Sequence, residues 1–219
     1  MKEYNSRIIA PNSGSLHFGV AHYITILRDP IQRYISEYEH VHSHGTAWSK
    51  AIITCKSLQI YKGNCSKDFN NTLWIEFLDC DYNLAHNRQV RMLADFNLIG
   101  CTALKCWSQT DHCTEKLRNF NAQKILHSAK HSLLGLAFFG LAEYQKLSEY
   151  LFLKTFGEDK FRFSEPIIDI KNTNAEKAIN GEAGKYIERI KSRNNLDIDL
   201  YEFAKEIFYK RVAYFQKKS

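Results

Sequence analysis

A short apolar run followed at once by arginine, aspartate and proline is the part of this 219-residue chain best suited to chemistry. The run 23–27 is rich in β-branched and aromatic residues, which is typical of a buried parallel strand covered on both faces. Asp29 can cap a helix and Pro30 suits a first helical position, so a helix should begin there. Arg28 then lies where a strand ends and a helix begins, and anions bind at such places in open α/β sheets.

The predicted helix has one apolar face and one flank that can serve a ligand. Its apolar residues recur at helical spacing: Ile31, Tyr34, Ile35, Tyr38 and Val41. This pattern predicts that one face packs on the sheet. Ser36 lies two turns into the helix on a flank shared with Arg33, so its hydroxyl can face the same crevice as Arg28. The alternative for Arg28 is that it only pairs with Asp29 or another nearby carboxylate.

Length and charge limit the class of protein. Lysine and arginine number 30 against 24 aspartate and glutamate residues, which gives a formal net charge of +6. This mild basicity allows a crevice for a polyanion without requiring one. No apolar run is long enough to cross a bilayer, and the start of the chain has no signal-peptide core. We expect an irregular segment over 1–22 and one folded domain over 23–216.

Six cysteines fall between the first helix and the middle of the chain: Cys55, Cys65, Cys80, Cys101, Cys106 and Cys113. An even number in one region predicts disulfides formed in an oxidising compartment. Two N-glycosylation sequons begin at Asn64 and Asn70 and also favour the secretory pathway. Cys106, His112 and Cys113 offer three metal ligands, but the sequence supplies no evident fourth, so we expect no metal site.

After the cysteines, the pattern predicts alternating helices and strands. The helices are expected over 122–133, 143–156, 182–193 and 197–216, and the strands over 136–141 and 166–170. Glu143 begins one of these helices, where a carboxylate compensates the helix dipole, and we expect that role for it rather than that of a base.

Longer motifs resemble one known family. The string Leu-Arg-Asp-Pro-x-x-Arg-Tyr-x-Ser-Glu over 27–37 resembles the 3′-phosphate-binding motif of Golgi carbohydrate sulfotransferases. The resemblance covers roughly Tyr23 to Val212. Further segments are similar to one branch, the heparan-sulfate 6-O-sulfotransferases: 40–41, 45–48, 77–95, 136–141 and 197–201.

The resemblance implies transfer of a sulfuryl group from 3′-phosphoadenosine 5′-phosphosulfate to the 6-hydroxyl of glucosamine in heparan sulfate. It implies that Arg28 and Ser36 hold the 3′-phosphate of this co-substrate. Thr173 lies in a segment that resembles, more loosely, a segment of the family that lies near the nucleotide. Neither a metal nor a nucleic acid is implied.

On the acceptor side, the resemblance assigns Trp48 to the glycan, and an amphipathic ring suits stacking on a sugar face. Arg88 and Arg91 lie in a predicted helix with Val90 and Leu93. Their guanidinium groups either meet sulfates and carboxylates of the glycan or are simply the exposed cations of a buried helix. Both interpretations stay open on the sequence.

The implied fold is α/β, a P-loop-like parallel sheet of the sulfotransferase kind flanked by helices, with the opening strand and the phosphosulfate-binding loop absent. The family's catalytic histidine has only a faint counterpart in His17, which lies closer to Arg28 than the family's spacing. We therefore expect His17 to be an ordinary loop histidine, and the chain to be an incomplete form of a Golgi-lumen enzyme with little activity by itself. The full-length form is expected to be a single-pass type II membrane protein with an N-terminal anchor absent here. The alternative is a catalytically inactive protein that binds nucleotide or sulfated glycan.

Overall fold

The computed structural model describes these residues: 22–44, 73–80, 83, 85–95, 98, 115–157, 161, 163 and 181–218. Its strands are β1 (Ile24–Leu27) and β2 (Phe138–Leu141). Its α-helices are α1 (Pro30–His44), α2 (Trp74–Asp79), α3 (Arg88–Leu93), α4 (Glu115–Gly135), α5 (Gln145–Phe156), α6 (Ile187–Arg193) and α7 (Asn195–Gln216). Short 3-10 helices, Ala142–Tyr144 and Glu182–Tyr186, precede α5 and α6.

The predicted helices and the second strand are confirmed, with shifted ends. The helix expected over 122–133 extends to Glu115–Gly135, and the helix expected over 143–156 begins as a 3-10 turn. The strand expected over 166–170 lies outside the described residues. No helix within the described stretches has the length and apolar character that crossing a membrane requires.

The two strands form a small parallel sheet. Ile24 lies opposite Phe138, and Leu27 lies opposite Leu141. Parallel strands need a long crossover connection, and here the chain passes through helices between them. The α/β class predicted from the sequence is confirmed, in a chain that is mostly helical where it is described.

The prediction that β1 is buried on both faces is wrong for the described part of the chain. Leu27 is buried, but Ile24 is 55% exposed and Ile26 is 67% exposed. These two residues point to the same side because side chains alternate along a strand, and no described element covers that side. An apolar, β-branched run predicts a strand, but it does not by itself reveal which faces other elements cover.

The described core has two parts. The first lies between the sheet and helices α3, α4, α5 and α7, and its most buried side chains include Leu133, Phe139, Leu141, Leu200 and Phe208. The second lies between α1, α2 and α6, and its most buried side chains include Tyr34, Ile35, Phe77, Leu78 and Ile190. Burial of each of these side chains stabilises the folded protein by about 1.5–3 kcal/mol.

The apolar face of α1 is predicted correctly, but its partner is not. Tyr34, Ile35, Tyr38 and Val41 are all buried in the second core. They pack against helices α2 and α6 rather than on the sheet. The Tyr38 ring stacks on Trp74 with the ring centroids 3.7 Å apart. An amphipathic pattern identifies the buried face of a helix and leaves the covering element undetermined.

Cys80 is fully buried in the second core and is disulfide-bonded. Its partner cysteine lies outside the described residues. The prediction of disulfides is therefore confirmed at this position.

Candidate functional site

The turn between β1 and α1 has the capped geometry that its residues predict. The Asp29 carboxylate accepts hydrogen bonds from the backbone N–H groups of Ile31 at 3.0 Å and Gln32 at 2.9 Å. Pro30 occupies the first position of α1. Because Asp29 already satisfies two of the free amides at this helix end, positive charge for a bound anion must come mainly from a side chain.

Arg28 can supply that charge. It is half-buried at the end of β1, and its guanidinium makes no hydrogen bond or ion pair with any described residue. The alternative that Arg28 pairs with Asp29 or another nearby carboxylate therefore has no support in the described part of the chain.

Gln89, on α3, makes two hydrogen bonds with the main chain of Arg28. Its Oε1 accepts from the Arg28 N–H at 2.9 Å, and its Nε2 donates to the Arg28 carbonyl at 2.9 Å. The Gln89 side chain thus satisfies both main-chain polar groups of Arg28, as a neighbouring strand would.

Glu143 joins the same turn to two other elements. One carboxylate oxygen accepts from the Asp29 N–H at 2.8 Å, and the other accepts from the Tyr201 hydroxyl at 2.5 Å. Burial, together with this hydrogen bond, raises the pKa of Tyr201, so the phenol stays protonated and keeps donating. Glu143 lies in the first turn of the 3-10 helix, as predicted, and its role in compensating the helix dipole stays a prediction. Its carboxylate also bridges the turn and α7.

Ser36 lies on α1, as predicted, and is half-buried. Its hydroxyl makes no hydrogen bond to another described residue. It therefore retains a donor for a ligand that reaches this flank of the helix.

Arg33, on the same flank, is part of a charge network and not a second unpaired cation. Its guanidinium donates to the Ala85 carbonyl at 2.7 Å and to Asn194 Oδ1 at 2.8 Å. It also pairs with Glu37, and its Nε lies 3.6 Å from the Asp197 carboxylate. Its charge is neutralised within the fold, where it joins α1 to the start of α7.

The two arginines predicted to face the glycan differ in exposure. Arg88 pairs with Glu37 at 2.5 Å, and its side chain is 31% exposed. Arg91 is largely buried, and burial lowers the pKa of its guanidinium to about 10, partly offset by Asp197 and Glu37. It remains charged at neutral pH. Glycan binding by Arg88 and Arg91 stays a prediction.

Helices α3 and α7 cap each other. Asn87, with a left-handed φ of 47°, accepts hydrogen bonds at its Oδ1 from the N–H groups of Leu196 at 2.9 Å and Asp197 at 3.1 Å. The Asp197 carboxylate in turn accepts from Gln89 N–H at 3.1 Å and Val90 N–H at 2.8 Å. Burial raises the pKa of Asp197, and its ion pairing and amide contacts partly offset that effect.

The sequence alone does not identify Gln89, Asn87 or Asp197 as parts of this site. Asparagine and aspartate are common capping residues, so a cap near α3 was detectable. The exchange of caps between α3 and α7 was not detectable, because it depends on a contact between residues about one hundred positions apart.

Several predicted site residues lie outside the described residues: His17, Trp48, Thr173, Asn64 and Asn70. Their roles stay predictions. Among the residues that the structure does describe, no group of histidine, cysteine, aspartate or glutamate side chains could hold a metal ion.

Comparison with known proteins identifies the family. A family model described as "Sulfotransferase family" matches residues 9–204. Human heparan-sulfate 6-O-sulfotransferase 2 is 40% identical over 203 residues, which cover 90% of this chain and 31% of that protein. Human heparan-sulfate 6-O-sulfotransferase 1 is 39% identical over 198 residues, 88% of this chain and 44% of that protein.

A third relative, heparan-sulfate 6-O-sulfotransferase 3 of Mus musculus, is 38% identical over 199 residues, which cover 87% of this chain and 38% of that protein. The chain spans less than half the length of each of these relatives. The resemblance that the sequence motifs indicate is confirmed, and the chain belongs to the sulfotransferase family.

Proposed function

We propose that this protein transfers a sulfuryl group from 3′-phosphoadenosine 5′-phosphosulfate to the 6-hydroxyl of glucosamine in heparan sulfate. The observation that carries the proposal is the turn after β1, where Arg28 has a fixed main chain and no carboxylate partner among the described residues. The names of the similar proteins support the choice of acceptor.

The donor half of the proposal assigns the 3′-phosphate to Arg28 and Ser36. A guanidinium can form two parallel hydrogen bonds with a phosphate, and a serine hydroxyl can add a third. Arg33 does not compete for the ligand because Glu37 and Asp197 already neutralise it. Thr173 is a further candidate for the nucleotide.

The reaction is an in-line displacement at sulfur. The acceptor oxygen forms a bond to the sulfuryl group while the bond to the leaving phosphate oxygen breaks, and the acceptor hydroxyl gives its proton to a base. As in phosphoryl transfer, positioning and charge stabilisation supply most of the rate enhancement. Holding the 3′-phosphate contributes to positioning because it fixes the nucleotide relative to the acceptor. The general base stays unassigned, and His17 is only the weak candidate that the sequence offers for it.

The acceptor half assigns the glycan to Trp48, Arg88 and Arg91. Arg88 is the more accessible of the two arginines. A glycan sulfate that reaches Arg88 competes with Glu37 for the guanidinium, so binding replaces one ion pair by another. Such an exchange favours selectivity for the anionic group more than raw affinity.

We also propose a Golgi-lumen location, as a single-pass membrane protein, and one sulfotransferase domain that includes residues 23–216. The disulfide at Cys80 supports an oxidising compartment. The N-glycosylation sequons at Asn64 and Asn70 agree with the same location.

Substitution of Arg28 by alanine tests the donor half of the proposal. We expect the affinity for adenosine 3′,5′-bisphosphate to fall by about 1.5–3 kcal/mol, the value of a hydrogen bond to a charged group. Titration calorimetry measures this affinity directly. An unchanged affinity would show that Arg28 does not hold the nucleotide, and thermal unfolding of the variant serves as the control for folding.

A further inference from the structure

The two peptide groups that flank Arg28 are both held by side chains from distant elements. Gln89 accepts from the Arg28 N–H at 2.9 Å and donates to the Arg28 carbonyl at 2.9 Å. Glu143 accepts from the next N–H, that of Asp29, at 2.8 Å. Three of the four hydrogen-bonding groups of these two peptides, the Arg28 N–H, the Arg28 carbonyl and the Asp29 N–H, therefore have a side-chain partner.

This arrangement determines the direction in which the Arg28 side chain leaves the main chain. The Cα–Cβ bond follows from the positions of the two flanking peptides, because a residue's backbone has only two soft dihedral angles. With both peptides fixed, the remaining freedom of the guanidinium lies in its own side-chain torsions. A site held in this way loses less conformational entropy when a ligand binds.

Gln89 is itself held firmly. Its side chain is buried, with 7% exposure, and its own N–H donates to the Asp197 carboxylate at 3.1 Å. It therefore acts from the capped end of a helix and not from a loop. Side chains on such elements position a functional group better than side chains on loops.

We propose that Gln89 is a positioning residue for the nucleotide's 3′-phosphate, which it serves by holding the main chain of Arg28. The inference rests on the proposed function, since it takes Arg28 as the phosphate ligand. Gln89 itself does not touch the nucleotide in this proposal.

The test compares two nucleotides that differ only in the 3′-phosphate. Calorimetry measures the affinities of the protein for adenosine 3′,5′-bisphosphate and for adenosine 5′-phosphate, and their ratio reports the contribution of the 3′-phosphate. Gln89→Met keeps the length of the side chain and removes both hydrogen bonds. We expect the ratio to fall about three- to tenfold, which is a part of the contribution of a charge-assisted hydrogen bond. The affinity for adenosine 5′-phosphate should stay unchanged.

A matched control is available on the neighbouring strand. Ser148 makes the same pair of hydrogen bonds with the main chain of Leu141, accepting from its N–H at 2.9 Å and donating to its carbonyl at 3.0 Å. Ser148→Ala removes this pair at a strand end where no phosphate ligand is proposed. We expect the nucleotide ratio to stay at its wild-type value in this variant, although the protein loses stability.

A double-mutant cycle establishes whether Gln89 acts through Arg28. In the Arg28→Ala background, Gln89→Met should not lower the ratio further. A ratio that falls equally in both backgrounds would overturn the proposal, and so would an unchanged ratio in Gln89→Met beside a lowered ratio in Arg28→Ala. An unchanged ratio in Arg28→Ala would instead overturn the proposed phosphate site itself.

Gln89→Glu replaces the methionine variant if the latter does not fold. Glutamate keeps an acceptor for the Arg28 N–H and loses the donor to the Arg28 carbonyl. A lowered ratio supports the proposal, and a wild-type ratio overturns it.

Discussion

At the scale of single residues, Arg28 differs from its neighbouring arginines in what its charge meets. Arg33 and Arg88 both pair with Glu37. No described carboxylate forms an ion pair with Arg28, so within the described residues its guanidinium stays available where α1 begins. A phosphate is attracted to such a position mainly by the guanidinium, because Asp29 already caps the helix end.

The residues of this turn were predictable in part. Asp29 and Pro30 have the types that a helix start requires, and their partners lie within three positions along the chain. Gln89 and Glu143 were not predictable, because they act on residues 61 and 114 positions away. A sequence shows local chemistry at such sites and does not show which distant side chain completes it.

His86 carries a prediction about pH. Its Nε2 lies 3.1 Å from the Tyr34 hydroxyl, and burial lowers its pKa well below the ordinary value of 6.5. The unfolded chain therefore takes up a proton near pH 6.5 that the folded protein does not. The stabilisation is present above pH 6.5 and is lost as the pH falls. Between pH 7.5 and pH 5.5 this loss should be on the order of 1 kcal/mol.

Chemical denaturation of the wild type and of His86→Gln at both pH values measures this effect. Glutamine can still hydrogen-bond to Tyr34 but does not titrate. The free energy of unfolding of the variant should fall less on acidification, by an amount on the order of 1 kcal/mol. The same pH dependence in both proteins would contradict a buried, neutral His86.

At the scale of the elements, the polar contacts between helices connect the parts of the site. The mutual capping of α3 and α7 holds Gln89 in place, and Arg33 joins α1 to Asn194 at the start of α7. The helices were predictable from hydrophobic periodicity, but their partners were not. The face of α1 was identified correctly and assigned to the sheet, whereas it packs on α2 and α6.

Asn87 carries the prediction at this scale. Its left-handed backbone suits glycine, and its side chain accepts two hydrogen bonds from the start of α7. Asn87→Gly keeps the backbone conformation and should cost about 1–3 kcal/mol for the buried amides that lose their acceptor. Asn87→Ala should cost about 1–2 kcal/mol more, because alanine is strained in the left-handed region.

Urea denaturation of the two Asn87 variants and the wild type gives the free energies of unfolding. If the alanine variant were as stable as the glycine variant, the left-handed conformation would be contradicted. If neither variant lost stability, the cap on α7 would be contradicted.

At the scale of the whole molecule, the α/β class and the family were predictable because long motifs and periodic segments carry them. The exposure of Ile24 and Ile26 on β1 was not predictable from the sequence. A strand's own residues report its tendency to form, while its burial depends on the elements that are placed over it.

The disulfide at Cys80 gives a prediction about the complete chain. The chain has six cysteines, and one disulfide uses two of them. Thiol titration of denatured, unreduced protein from secretory expression should therefore find at most four free thiols. Six free thiols would contradict both the disulfide and the argument for an oxidising compartment, and titration after reduction is the control.

The most direct test of the proposed function is to locate the transferred sulfuryl group. A full-length form that contains residues 1–219 is incubated with labelled 3′-phosphoadenosine 5′-phosphosulfate and heparan sulfate whose 6-hydroxyls are free, and the product is digested to disaccharides. The account predicts label on the 6-oxygen of glucosamine, and much less label with Arg28→Ala at limiting donor. Label on nitrogen or on another hydroxyl, or nucleotide binding with no transfer at all, would contradict it.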